Sequence, residues 1–196
     1  MRNLNSVGNR QTALVTGTSS GFGLRISIEL AQRGFNVAAG MRNPQASESL
    51  MRAAKLAGVS ECISVIQMDI TKESEVKAAV DQVRAQFGTI DVLVNNAGSV
   101  WGGFVEEVPI AIWREQMETN FMGNVCVTQA VLPLMRKQRS GVIIQMSSIS
   151  GLVGFPGFGP YAASKFALEG FSECLALEMK PFGIDVVLVE PGSYGT

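Results

Sequence analysis

Short runs of Val, Ile and Ala alternate along the chain with longer amphipathic stretches. The runs suit strands buried on both faces, and the stretches suit helices laid over them. Six strands are predicted, at Thr12–Thr16 (TALVT), Asn36–Ala39 (NVAA), Ile63–Gln67 (ISVIQ), Asp91–Val94 (DVLV), Val142–Met146 (VIIQM) and Asp185–Val189 (DVVLV). Helices are predicted near Gly23–Arg33, Ala46–Ala57, Glu73–Phe87, Ile112–Arg136 and Tyr161–Lys180, with Gly34, Gly58 and Gly88 as C-terminal stops. This alternation implies a doubly wound α/β fold, a parallel sheet flanked by helices on both faces. No linker, shift in composition or internal repeat divides the chain, so residues 1–196 read as one domain. Right-handed crossovers then place the C-terminal ends of the strands on one edge, where ligands of such sheets bind.

Composition narrows the chemistry. With 46% hydrophobic and 17% charged residues the chain can bury a core, and a net charge of −1 gives no footprint for nucleic acid or an anionic membrane. Histidine is absent, which excludes a Ser-His-Asp or Cys-His nucleophilic site, a His base and a His-ligated metal. Cys62, Cys126 and Cys174 are odd in number and far apart, so buried free thiols in a reducing cytoplasm are expected rather than disulfides or zinc. The polar start MRNLNSVGNR lacks the apolar stretch of a signal peptide, so export is not expected. Ser140–Ser164 carries no charge, but its serines, glycines and two prolines suit a buried strand and tight loop better than a membrane helix.

The first strand runs into Thr16-Gly17-Thr18-Ser19-Ser20-Gly21-Phe22-Gly23 at the head of the first helix, the place where a dinucleotide pyrophosphate binds in a Rossmann-like sheet. Gly17 permits the tight turn, Gly21 lets phosphates approach the backbone and Gly23 lets helix and sheet pack closely. Helix N-terminal amides and the hydroxyls of Thr18, Ser19 and Ser20 supply donors. A second signal is Tyr161-Ala162-Ala163-Ser164-Lys165 at the head of the last helix, because residues four apart share a helix face. A free phenol loses its proton only at about pH 10, and a neighbouring ammonium favours the charged form.

The spacing Gly-x-x-x-Gly-x-Gly departs from the usual dinucleotide fingerprint and resembles the short-chain dehydrogenase/reductase family. Asn95-Asn96-Ala97-Gly98 after the fourth strand and Pro191-Gly192 after the sixth match the same pattern. The resemblance implies that Phe22, Asn96, Ala97, Gly98, Pro191 and Gly192 border the cofactor. It implies that Tyr161 exchanges a proton with the substrate oxygen and that Lys165 holds the nicotinamide ribose. Ser148, thirteen residues before Tyr161, matches the serine that hydrogen-bonds the reacting oxygen. Asn120 matches an asparagine that holds a water linking the lysine to solvent. Asp69, followed by Ile70, resembles an acidic residue whose neighbouring backbone contacts adenine, and an N-cap or turn role is an equal alternative.

At the end of the second strand, Met41 and Arg42 stand where an acid would hold the ribose hydroxyls of NAD. Arg42 can instead meet the 2′-phosphate of NADP, or it is a solvated surface residue. NADP is therefore the expected cofactor, with NAD the alternative. Trp101, Phe104, Leu152, Val153, Phe155 and Phe158 follow the fourth and fifth strands and form an apolar substrate pocket, pack the core or make a dimer contact. The activity implied is interconversion of an alcohol and a ketone or aldehyde, on a small-molecule substrate that is apolar where those residues form the pocket, without metal; a noncatalytic NADP-binding regulator is the rival reading. The family's dimer-forming helices resemble the last two long helices, so a homodimer or homotetramer is expected. Relative to the family, the sequence ends at Gly195-Thr196 before a substrate-covering lid and a last strand.

Overall fold

The computed structural model describes residues 10–192; the N-terminal residues 1–9 and residues 193–196 lie outside the described residues. Strands β1 (Thr12–Thr16), β2 (Asn36–Met41), β3 (Ile63–Gln67), β4 (Val92–Asn95), β5 (Gly141–Met146) and β6 (Ile184–Val189) form one parallel sheet in the order β3-β2-β1-β4-β5-β6. The order reverses at β1, so the crevice between the ends of β1 and β4 is a topological switch point, where ligands of open α/β sheets bind. In the centre Leu14 pairs with Ala38 on one side and Leu93 on the other.

The side-chain alternation of the strands builds two cores. Leu14, Ala38, Ile66, Leu93 and Ile143 face one way and pack on α3 (Glu73–Phe87), α5 (Gly123–Gln138) and α6 (Gly159–Met179). Ala13, Val15, Val37, Ala39 and Val94 face the other way and pack on α1 (Gly21–Gln32) and α2 (Glu48–Leu56). Every residue of β1 is buried, which is why its sequence is apolar or Thr throughout.

Several boundaries differ from the expectation. A 3-10 turn at Pro44–Ser47 precedes α2, because the Asn43 side chain accepts a bond from Gln45 N and Pro44 sets the first turn. The long helix expected over Ile112–Arg136 is three pieces: α4 (Ile110–Met117), a π turn at Glu118–Met122, and α5. Asn124 Nδ2 donates to the Asn120 carbonyl at 2.7 Å, so a side chain competes with the backbone ladder where the helix widens. The uncharged stretch 140–164 contains β5 and a loop, but its last residues already belong to α6. Burial of the cysteines is also corrected: all three are free, Cys62 and Cys126 are half-buried, and Cys174 is exposed on α6. No helix among the described residues is long and apolar enough to cross a membrane.

Candidate active site

The loop from β1 to α1 needs glycine at two places, since Gly17 and Gly21 have φ of 69° and 58°, in the left-handed region. Asn96 braces this loop from the end of β4. Its Nδ2 donates to the carbonyls of Thr16 (2.8 Å) and Gly17 (3.1 Å), while Asn96 N and Ala97 N donate to Thr16 Oγ1. A Cβ on Gly23 would collide with the Gly17 carbonyl oxygen and stand 2.5 Å from Asn96 Nδ2. Gly23 is therefore the close-packing position between helix and loop. Ser19, Ser20, Gly21 and Phe22 border a large cavity, but Thr18 does not. Thr18 is fully buried and both its amide and its hydroxyl donate to the Gly40 carbonyl at 3.2 Å. The expected contribution of its hydroxyl to a ligand is thus replaced by a tie between the loop and β2.

Arg42, just beyond β2, and Asp69 and Ile70, just beyond β3, border the same cavity. The Asp69 carboxylate accepts from Thr71 N (3.1 Å) and Thr71 Oγ1 (2.8 Å), a tight Asx turn. The N-cap position of α3 belongs to Lys72, so Asp69 is a turn residue rather than the cap. Partial burial opposes ionisation of Asp69, but the Thr71 bonds and the charges of Lys72 and Arg42 hold its carboxyl below the ordinary value.

At the other end of the cavity, Tyr161 and Lys165 stand on successive turns of α6. Lys165 Nζ donates to the Met146 carbonyl at the end of β5 (2.7 Å) and lies 5.7 Å from the centroid of the Tyr161 ring. Burial pushes the Lys165 ammonium down to about 8, and the Glu169 carboxylate one turn further along α6 opposes that fall. Ser148 is largely buried and borders the same cavity, and its Oγ accepts Ser150 N at 3.1 Å. Pro191 accepts Ile149 N, tying the loop after β6 to the serine loop, and Pro191 and Gly192 also border the cavity.

Asn120, expected to hold a water, has its side-chain groups paired within the protein. Its two amide hydrogens go to the Ser99 carbonyl (2.9 Å) and Ser164 Oγ (3.1 Å), and its Oδ1 accepts Ser99 N (2.8 Å). The fully buried side chain is a clamp between the loop after β4 and α6, and it does not reach the cavity. Two further residues escaped the sequence reading. Gln116, also fully buried, accepts Trp101 N (2.8 Å) and donates to the Ser99 carbonyl (2.8 Å). Glu169 is buried where a Cβ on Gly151 would stand 3.0 Å from its Oε1 and 2.8 Å from Ser147 Oγ, and neither oxygen has a protein partner. The only sequence signal for Glu169 was a carboxylate four residues after Lys165, on the face that α6 turns inward.

The glycine loop, Arg42, Asp69, Ser148, Tyr161, Lys165 and Pro191 border one cavity of about 1390 Å³ along the C-terminal ends of the strands. This exceeds the roughly 300–1,000 Å³ of a usual small-ligand site and suits an extended ligand with two parts. The burial of Lys165 has a consequence for stability. Its pKa of about 8 lies below the ordinary 10.5, so below about pH 8 the ammonium is charged both folded and unfolded and its full burial cost is present. Between the two values the folded protein sheds the proton and the cost fades. Lys165→Met is expected to raise the unfolding free energy by roughly 2 kcal/mol at about pH 7, after the lost bond to Met146 is counted. Denaturant titrations at about pH 7 and about pH 11 check this: a gain that is the same at both, or a loss at the lower one, contradicts it.

Residues 11–196 match the family described as short chain dehydrogenase. An oxidoreductase of Bacillus subtilis without a characterised substrate is 49% identical over 188 residues, covering 96% of this chain and 66% of that protein, so this chain spans just under two thirds of its length. Among solved structures, NAD+-bound xylitol dehydrogenase superposes with a TM-score of 0.90 at 31% identity, covering 97% of this chain and 73% of the other. ElxO with NADP bound gives 0.89 at 30%, covering 93% and 73%. With the parallel sheet, the braced glycine loop and the Tyr161–Lys165 pair in place, these matches show that the chain belongs to the short-chain dehydrogenase/reductase family.

Proposed function

We propose that the chain interconverts an alcohol and a ketone or aldehyde by hydride transfer with a nicotinamide cofactor, NADP in preference to NAD. The observation that carries this reading is the meeting of Ser148, Tyr161 and Lys165 at one end of a cavity whose other parts are bordered by the glycine loop and Arg42. The residues fit such a cofactor. Gly17 and Gly21 offer bare backbone, Ser19 and Ser20 offer hydroxyls, and the N-terminus of α1 favours the charge of a pyrophosphate. The similar structures bound to NAD+ and to NADP support a nicotinamide cofactor without choosing between them. When bound, it would supply or accept the hydride.

The chain's own residues divide the remaining work. Ser148 Oγ accepts Ser150 N, which leaves its hydrogen to donate to the reacting oxygen. The Tyr161 hydroxyl gives that oxygen a proton during reduction and takes it back during oxidation. Lys165, oriented by the Met146 carbonyl, stabilises negative charge on the Tyr161 oxygen, and its remaining donors would hold the ribose of a bound cofactor. Asn120 anchors α6 through Ser164, next to Lys165, and no water step is assigned to it.

NADPH and NADH oxidation over a panel of aldehydes and ketones, paired with cofactor-binding calorimetry, tests the reading. Turnover supports it; tight cofactor binding with no turnover of any carbonyl favours the noncatalytic regulator. Arg42 decides the finer point, because a charge-assisted bond to the 2′-phosphate contributes about 1.5–3 kcal/mol before solvent exposure reduces it. Arg42→Ala is expected to weaken NADPH roughly tenfold and NADH less than about twofold. Equal losses for both cofactors reject the phosphate contact.

A further inference from the structure

The apolar residues that follow β4 and β5 sort into two groups in space. Trp101, Phe155 and Phe158 border the cavity that holds Tyr161 and Lys165; Phe104, Leu152 and Val153 do not. All three of the bordering rings are markedly exposed, at 44%, 42% and 40%, and Val100 and Ile149 beside them are equally open. Such a cluster of exposed large apolar side chains marks a binding surface.

The wall is also built before any ligand arrives. The loop after β4 and the loop before α6 are zipped together by Gly103 N donating to the Gly157 carbonyl at 2.8 Å, next to a parallel bridge between Gly103 and Phe158. Glycine is needed in the zip, since Gly103 has φ of 151° and a Cβ there would stand 2.8 Å from Val108 Cγ2. Beneath it the buried Gln116 holds Ser99 and Trp101 by their backbones, and Asn120 holds Ser99 from the same side. The Phe158 ring meets the Tyr161 ring edge-on, with centroids 6.4 Å apart and an interplanar angle of 65°. The apolar wall therefore starts at the phenol itself and continues outward on rigid supports.

Charge narrows the ligand further. The charged side chains bordering the cavity are Arg42, Asp69, Glu115 and Lys165. Arg42 and Asp69 follow β2 and β3, at the far end of the sheet from the wall, and Lys165 is buried against Met146. What is left near the wall is Glu115, adjacent in sequence to the Gln116 clamp and acidic. Among the described residues the wall offers no guanidinium or ammonium to a carboxylate or phosphate, and Glu115 repels both.

We propose that the reacting end selects an uncharged carbonyl or alcohol with an extended apolar body, which lies along Trp101, Phe155 and Phe158 with its oxygen at Ser148 and Tyr161. The inference rests on the proposed oxidoreductase reading and adds the substrate class to it. Each methylene moved from water onto the wall contributes about fourfold to kcat/KM. In the reducing direction the cofactor would give one hydride to the carbonyl carbon and Tyr161 one proton to its oxygen, and oxidation of the alcohol returns both.

The test is a series of straight-chain methyl ketones of increasing length with NADPH, set against keto acids of the same lengths that end in a carboxylate. It is run on the wild type, Trp101→Ala, Phe158→Ala and Phe104→Ala, the last being exposed but outside the cavity. The expected result is a kcat/KM that climbs with chain length, keto acids at least about tenfold poorer, and a flattened climb in Trp101→Ala and Phe158→Ala only. A flat series, or keto acids as good as the ketones, overturns the proposal. A second readout stands apart from turnover: the chain has two tryptophans, Trp101 and Trp113, so decanol should shift the emission of the wild type and not of Trp101→Phe, while decanoate shifts neither. If no carbonyl is turned over yet decanol gives this shift, the redox reading falls and the apolar site stands; no shift overturns the site. A shift that vanishes at high protein concentration as the mass doubles assigns the wall to a second copy of the chain and overturns the proposal as well.

Discussion

Tyr161→Phe is expected to lower turnover of a carbonyl substrate about a hundred- to ten-thousandfold while cofactor affinity changes less than about threefold. The ring keeps its edge contact with Phe158 and its place beside Lys165, so the substitution removes the proton donor and little else. Steady-state reduction measured with calorimetric cofactor binding separates the two effects. Turnover near that of the wild type removes Tyr161 from the proton-transfer role. A parallel loss of cofactor affinity instead assigns the residue to binding.

Gly23→Ala is expected to cost more than about 3 kcal/mol of stability, a fall in melting temperature of roughly 6–12 °C for a domain of this size. The new methyl would meet the Gly17 carbonyl and the Asn96 amide that braces it, and both are fixed by further bonds. No flexible side chain is available to give way. The same displacement opens the loop, so cofactor affinity should fall alongside the stability. Gly154→Ala is the matched control, because nothing lies within 4 Å of a Cβ there, and it should change stability by less than about 0.5 kcal/mol. Thermal melts of both variants, with and without NADPH, check this; a Gly23→Ala protein as stable as the control rejects the close-packing role.

The parts of this protein that could be read from its residues are those governed by local geometry. A strand buried on both faces must be apolar along its length, so all six strands are legible to within about two residues of their ends, and the helices lie where polar positions break the runs. The glycine loop was readable because left-handed backbone at Gly17 and Gly21 is a property of single residues. Tyr161 and Lys165 were readable because four residues make one helical turn.

The sequence by itself thus determined the fold class, the position of the loop and the pair at the head of α6. Tertiary structure decided the rest, because the partners involved are distant in the chain. Thr18 turns to Gly40, twenty-two residues away, and so leaves the cavity. Asn120 is spent on Ser99 and Ser164, and with Asn124 on its carbonyl the helix widens into a π turn that no periodicity shows. Gln116 looks like an ordinary helical glutamine until the loop after β4 folds onto it. Trp101, Phe104, Phe155 and Phe158 share one hydrophobicity, which drives burial in any direction and specifies none. The tertiary structure, in which a backbone bond from Gly103 to Gly157 joins their two loops, places three of them along the cavity and leaves Phe104 outside it.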